Sequence, residues 1–282
     1  IAGMGDAAWH PIATGILVRQ MPRQKGQALG IHAVGGSLAE MFSPLLAGFL
    51  LAVLDWQTVL QIAVVPAALM GIVFVALANK VPQRHASSAI SRTDLVAFIR
   101  QWRTRAGLRL VGSISAYNMA LFALMTMTPL FAQRVLDFSP AQAGMAFAAA
   151  MLVGSVGQPL IGRLSDRSSR VGVFVFGLVS AAVLIGAALL TTAPLAILGL
   201  LTGAMGVLVA IRSGILAMAI DHASEREATA LGFIFVLLDG VGALGAVLAG
   251  LVGDFDLRFS FLLAAGLSLA SVAVVTLMKG RQ

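Results

Sequence analysis

Nine long apolar runs dominate the chain, at 1–18, 26–54, 57–79, 108–132, 141–161, 171–192, 195–220, 228–253 and 259–278. A bilayer core takes about 20 mostly apolar residues per helix, and each run is long enough or nearly so. Transmembrane barrel strands are about ten residues long and alternate in polarity; these runs are longer and apolar throughout. A helix satisfies its own backbone hydrogen bonds, as lipid demands. The expected fold is an all-α, polytopic membrane bundle of nine spans. A soluble fold is excluded by composition. Hydrophobic residues make up 59% and charged residues 11% of the chain, where a soluble domain carries about 25% charged residues. A water-soluble fold of 282 residues has nowhere to hide that apolar surface.

The basic residues orient the spans. One set of alternating loops holds 16 of them: Arg19, Arg23 and Lys25, the seven from Lys80 to Arg109, Arg163, Arg167, Arg170, Arg226, Lys279 and Arg281. The other set holds Arg134 and Arg258, and Arg212 falls inside a span. The positive-inside rule makes the first set cytoplasmic, with the first residue outside and the C-terminus inside. The formal charge of +7 is therefore a topology signal, and no nucleic-acid partner is expected. The absence of cysteine excludes disulfides and thiolate chemistry. With no phosphate loop, His-Glu-x-x-His or nucleophile–base pair, neither an enzyme nor a cofactor or metal is expected.

The loop at 80–107 divides the chain into 1–79 and 108–282. Its second half, SRTDLVAFIRQWRTR, begins with a helix-start signal at Ser91 and Asp94. Leu95, Phe98, Ile99 and Trp102 then share one face between arginines, which reads as a linker helix lying on the inner leaflet. A repeat is also present. Ala28-Leu29-Gly30 recurs as Ala230-Leu231-Gly232, and Leu46-Ala47-Gly48 as Leu248-Ala249-Gly250, both 202 residues on. A shared offset across spans of matching topology indicates duplicated halves. Six spans follow the linker and three precede it, so equivalent halves would start the first one roughly 95 residues before Ile1. On this expectation the chain is the last nine helices of a twelve-helix, 6+6 protein.

The sequence Gly162-Arg163-Leu164-Ser165-Asp166-Arg167-Ser168-Ser169-Arg170 resembles the G-x-L-x-D-R-x-G-R loop of the major facilitator superfamily of secondary transporters, in its second copy. Ser169 stands in place of the family's Gly, and Val171 in place of a second basic residue. The resemblance implies a gating role for Gly162, Asp166, Arg167 and Arg170. Physically, Gly162 allows close helix approach. Asp166 is suited either to the positive N-terminus of a neighbouring helix or to pairing with Arg167 or Arg170; the alternative is an ordinary charged turn. Gly30, Ala39, Ser43, Pro44, Ala47 and Gly48 resemble the family's antiporter motif with three glycines relaxed, which implies a helix-packing role for Gly30, Pro44 and Gly48 and a tilt towards export. The stretch from Gly3 to Pro11, with its His10-Pro11 pair, resembles fosmidomycin-resistance-type efflux transporters.

Ionisable groups inside spans point to function. Asp6 and His10 share a helical face and suit a proton relay or a hydrogen-bonded pair. Glu40 lies mid-span, far from loop charges, as a coupling or substrate residue. His32 is read as coupling or merely interfacial. Arg212 and Asp239 lie at similar depth on consecutive spans, as a structural ion pair or a cavity-lining one. Gln158-Pro159, Tyr117 and Asn118 are candidates for a polar cavity lining, and Met125 and Met127 for packing or soft cavity wall. The expected protein is a proton-coupled exporter of a small molecule working by alternating access, monomeric, in the bacterial cytoplasmic membrane and surrounded by lipid. The alternatives are an uptake symporter of a sugar or organic anion, and a non-transporting scaffold or sensor.

Overall fold

A computed structural model of the chain describes residues 2–51, 53–78, 92–223 and 227–276. Within them, the side chains of 2–9, 11, 40, 43–45, 47–49, 51, 78, 92–95 and 227–230 lie outside the description. The described elements are helical throughout. They are α1 (Ala2–Gln20), α2 (Lys25–Leu51), α3 (Trp56–Ala78), α4 (Arg92–Trp102), α5 (Arg105–Arg134), α6 (Pro140–Arg167), α7 (Arg170–Leu190), α8 (Pro194–Ala210), α9 (Arg212–Ala223), α10 (Glu227–Phe235), α11 (Gly242–Gly253) and α12 (Leu257–Thr276). A single π-helical segment, Val236–Val241, joins α10 to α11.

Seven helical stretches among the described residues are long and apolar enough to cross a membrane. They are α3, α5, α6, α7, α8–α9, the stretch Leu231–Gly253, and α12. They correspond to seven of the nine spans expected from the sequence. α1 and α2 are continuous helices of 19 and 27 residues, but both contain side chains outside the description and are not among the seven. The protein is a multi-pass membrane protein.

Helix ends fall where the sequence supplies caps. Thr104 accepts from the Gly107 backbone N–H at 3.1 Å to start α5. Ser139 and Gln142 form a reciprocal capping box ahead of Pro140 in α6. Ser169, the departure from the family's Gly, caps α7 by accepting from Gly172 N–H at 3.1 Å.

α5 is the axis of the half after the linker, and its buried face meets α8, α11 and α12. Tyr117 Oη donates to the Leu208 carbonyl at 2.7 Å, and Ser113 and Ser271 join α5 to α12 at 2.8 Å. Lipid supplies no hydrophobic drive between helices, so small residues and internal hydrogen bonds carry this packing. α3 is the opposite case. Leu60, Val65, Leu69, Ile72 and Val75 are all exposed, as in a helix that is apolar on every face and sits in lipid.

The sequence reading is corrected at one place. Tyr117 and Asn118 do not line the cavity described below; both are fully buried in the helix packing. The apolar run at 195–220 falls in one membrane-length stretch, Pro194–Ala223, with a turn at Ile211 between α8 and α9. On the linker helix α4, Phe98 and Trp102 are buried against protein, while Val96 and Ile99 are exposed.

Candidate functional site

A cavity of about 590 Å³ lies between α1 and α2 on one side and α5, α6, α9 and α10 on the other. Its polar wall is His10, His32, Ser37, Gln158, Arg212 and Asp239. The wall brings five of the sequence candidates together: His10, His32, Gln158, Arg212 and Asp239. His10 and His32 meet edge-on with ring centroids 6.2 Å apart, and His10 also stacks on Phe235 at 5.2 Å. His32, which the sequence also allowed to be interfacial, therefore belongs to the cavity. Arg212 Nη2 donates to Asp239 Oδ1 at 3.4 Å. Asp239 is 59% exposed and Arg212 25%, so the pair faces the cavity and is not entombed in packing. Of the two methionines, Met125 lines the cavity and Met127 is buried in the core.

Both charges of that pair stand on irregular backbone. Arg212 is the first residue after the break at Ile211, and Asp239 lies inside the π-helical segment. Kinks and π-bulges leave carbonyls outside the regular ladder and recur at functional sites. Neither irregularity is marked in the sequence by Pro.

α2 and α6 form the floor. A Cβ built on Gly30 would lie 2.6 Å from the Gln158 carbonyl, so only Gly fits this crossing. Gln158 Nε2 donates to Ser37 Oγ at 3.0 Å, fully buried, while its Oε1 has no partner. Next to Ser37, Gly35 and Gly36 face open space.

Beneath the floor, at the end that carries Arg19, Lys25 and Arg163, a second layer joins the same helices. Gly26 and Gly162 touch backbone to backbone, and a Cβ on Gly162 would lie 2.2 Å from the Gly26 carbonyl. Asp166 accepts from the N–H groups of Gly26 at 3.0 Å and Gln27 at 2.9 Å. It thereby caps the N-terminus of α2, whose own first turn has no acid. Arg170 Nη1 pairs with Asp166 at 2.8 Å, while Arg167 is exposed. Arg170 Nε also reaches Asp221 at 2.6 Å, and Lys25 Nζ reaches Asp221 at 3.0 Å. The sequence reading passed over Asp221. Its only signal was an acid at the end of a span whose neighbouring loops are basic.

The side chains of Asp6, Glu40 and Pro44, and the surroundings of Gly48, lie outside the described residues. Among the described residues no group of three His, Cys, Asp or Glu is arranged to hold a metal ion.

These features define a polytopic helical membrane protein with a polar cavity between its helices and a hydrogen-bonded, glycine-packed layer beside it. The chain belongs to the Major Facilitator Superfamily, whose sequence model matches residues 1–155 and again 132–281. Among solved structures it is similar to a point variant of the Escherichia coli fucose:proton symporter FucP, with a TM-score of 0.71 and 16% identity over 96% of this chain and 72% of that one. It is similar also to FucP in the outward conformation, with a TM-score of 0.70 and 15% identity over the same shares. At that identity the likeness is one of fold. No curated protein matches the chain in sequence.

Proposed function

We propose that the protein carries a small solute across the membrane by alternating access, coupled to protons. The observation that carries this reading is the cavity itself. It lies between two sets of helices, from before and after the linker, and is closed at one end by contacts a modest motion can break. Bringing the two halves apart at α2 and α6 would separate Gly26 from Gly162 and release Asp166 from the α2 N-terminus. In this reading that end is cytoplasmic, by the distribution of arginines.

Proton coupling is assigned to the ionisable groups of the first half, Glu40, Asp6 and His10. Ionisable side chains inside spans are costly and mark proton and substrate pathways. Arg212 and Asp239 are assigned to the solute, because they face the cavity from discontinuous helices, as binding groups of secondary transporters do. Export by antiport is the favoured direction, resting on the likeness of α2 to the family's antiporter motif, of which Gly30 packs against α6 as such a motif would. The second reading is uptake by symport, favoured by the fold's likeness to a fucose:proton symporter.

The test is flux in proteoliposomes under an imposed pH gradient, with a panel of labelled sugars, organic anions and amphipathic cations. Accumulation driven by an inward proton gradient marks symport, and expulsion driven by it marks antiport. Glu40→Gln is expected to abolish the gradient dependence while the protein stays folded. Gradient-driven flux equal to wild type in that variant removes Glu40 from the coupling path.

A further inference from the structure

We propose that the linker helix α4 is a brace for the closed basic end, and that Gln101 and Trp102 are its positioning residues. The proposal rests on the alternating-access reading above. Its starting point is the turn of α9 that carries Asp221. That carboxylate holds Lys25 at 3.0 Å and Arg170 at 2.6 Å, so it ties the first half to the α6–α7 turn. It stands on α9 one residue before His222, near the end of the described part of that helix.

α4 holds that turn from outside. Gln101 Nε2 donates to the His222 carbonyl, one residue from Asp221. The indole of Trp102 packs against the His222 imidazole with centroids 5.1 Å apart at 73°. Trp102 and Phe98 both lie edge-on against Phe233 of α10, at 5.1 and 5.8 Å. The linker helix therefore grips both helices flanking the α9–α10 connection. It is itself held close to α5. A Cβ on Gly107 would lie 2.5 Å from the Trp102 carbonyl, so the turn between them closes only on glycine. The aromatic face that composition alone would place against lipid is spent on this grip.

Trp102 Nε1 and His222 Nε2, on the two touching rings, are buried without hydrogen-bond partners, so the rings meet by packing and not through a hydrogen bond between them. α4 thus acts on the gate through Asp221 and touches no solute.

The chain has no native cysteine, so spin labels attach only where cysteines are introduced. Labels at Met21→Cys and Leu164→Cys, both exposed, report the spacing of the basic end without any solute. Gln101→Ala and Trp102→Ala are expected to raise the long-distance population at least threefold. Trp102→Phe, which keeps the ring packing, should restore most of the short distance. In an Asp221→Asn background, Gln101→Ala should add nothing further. Variants with the wild-type distribution, or a Gln101→Ala effect undiminished by Asp221→Asn, overturn the brace. Should Trp102→Ala fail to fold, Gln101→Ala decides alone, since it leaves the aromatic packing of α4 in place. A wild-type distance that stays short in every condition, lengthened only by the variants, upholds the brace and refutes the alternating-access reading instead.

Discussion

Asp166, near the end of α6, accepts the backbone N–H of Gly26 at 3.0 Å across 140 residues of chain. A side chain of the second half thereby completes the first turn of a helix in the first half. The contact is charge-assisted twice, by the dipole of α2 and by Arg170, and the carboxylate is only 4% exposed. Removing it strands two backbone donors and leaves Arg170 paired with Asp221 alone. Asp166→Ala is expected to weaken the closed arrangement by roughly 1–3 kcal/mol, the usual cost of leaving buried donors unsatisfied. Asp166→Asn, which keeps an acceptor, should cost less. Label distances at the basic end, read beside thermal unfolding in detergent, separate gate opening from global loss. Wild-type spacing in Asp166→Ala would show that the cap does not hold the gate.

Glycines at the crossing and in the cavity should respond in opposite ways. Gly162→Ala drives a methyl into the Gly26 backbone, which cannot yield as a side chain can. Such overpacking costs roughly 1–3 kcal/mol. Gly36→Ala meets nothing within 4 Å and gains up to about 1 kcal/mol of helix propensity. The first variant should melt below wild type and the second at or above it, while Gly36→Ala narrows the cavity and slows flux. Equal melting temperatures would mean that the two helices are not packed as described.

Arg212 and Asp239 should matter little to stability. Water-facing ion pairs contribute about 0–1 kcal/mol, and one contact at 3.4 Å belongs to that group. Asp239→Asn and Arg212→Gln should therefore unfold within a few degrees of wild type yet lose most solute flux. Large destabilisation with flux retained would make the pair structural.

Asp55 offers a pH-dependent check outside the membrane. Hydrogen bonds from the Thr58 hydroxyl and N–H hold its carboxyl below the ordinary carboxylate range. A depressed folded value means that the stabilising effect is present above the unfolded value and lost as pH falls through the folded one. Protection of the first turn of α3 should fall at acid pH by amide exchange, after correction for intrinsic rates. Asp55→Asn should flatten that profile.

The apolar runs made most of the helices legible, because length and hydropathy act over a whole span and need no knowledge of neighbours. The run at 108–132 lies within Arg105–Arg134, and the run at 171–192 overlaps Arg170–Leu190. What needed three dimensions was direction. Polarity alone suggested Tyr117 and Asn118 as cavity lining, but a polar side chain on a helix can equally face a neighbour, and Tyr117 does so through the Leu208 carbonyl. The break at Ile211 has no Pro or Gly at the break itself, so the pattern ran straight through it. The amphipathic face of α4 was visible at Phe98 and Trp102, but periodicity cannot say whether lipid or protein covers a face. For Asp166 the sequence left a helix N-terminus and an arginine as alternatives, and the structure shows both at once.

The central claim is that the two sides of the cavity open in turn, and paired distances test it most directly. One label pair reports the basic end, at Met21→Cys and Leu164→Cys. A second pair, at the exposed Val53→Cys and Asp137→Cys, reports the far end. In lipid nanodiscs across a range of pH, the account predicts two populations at each end, with the far distance shortening as the basic-end distance lengthens. Distances that stay fixed at both ends, or that lengthen together, would contradict alternating access.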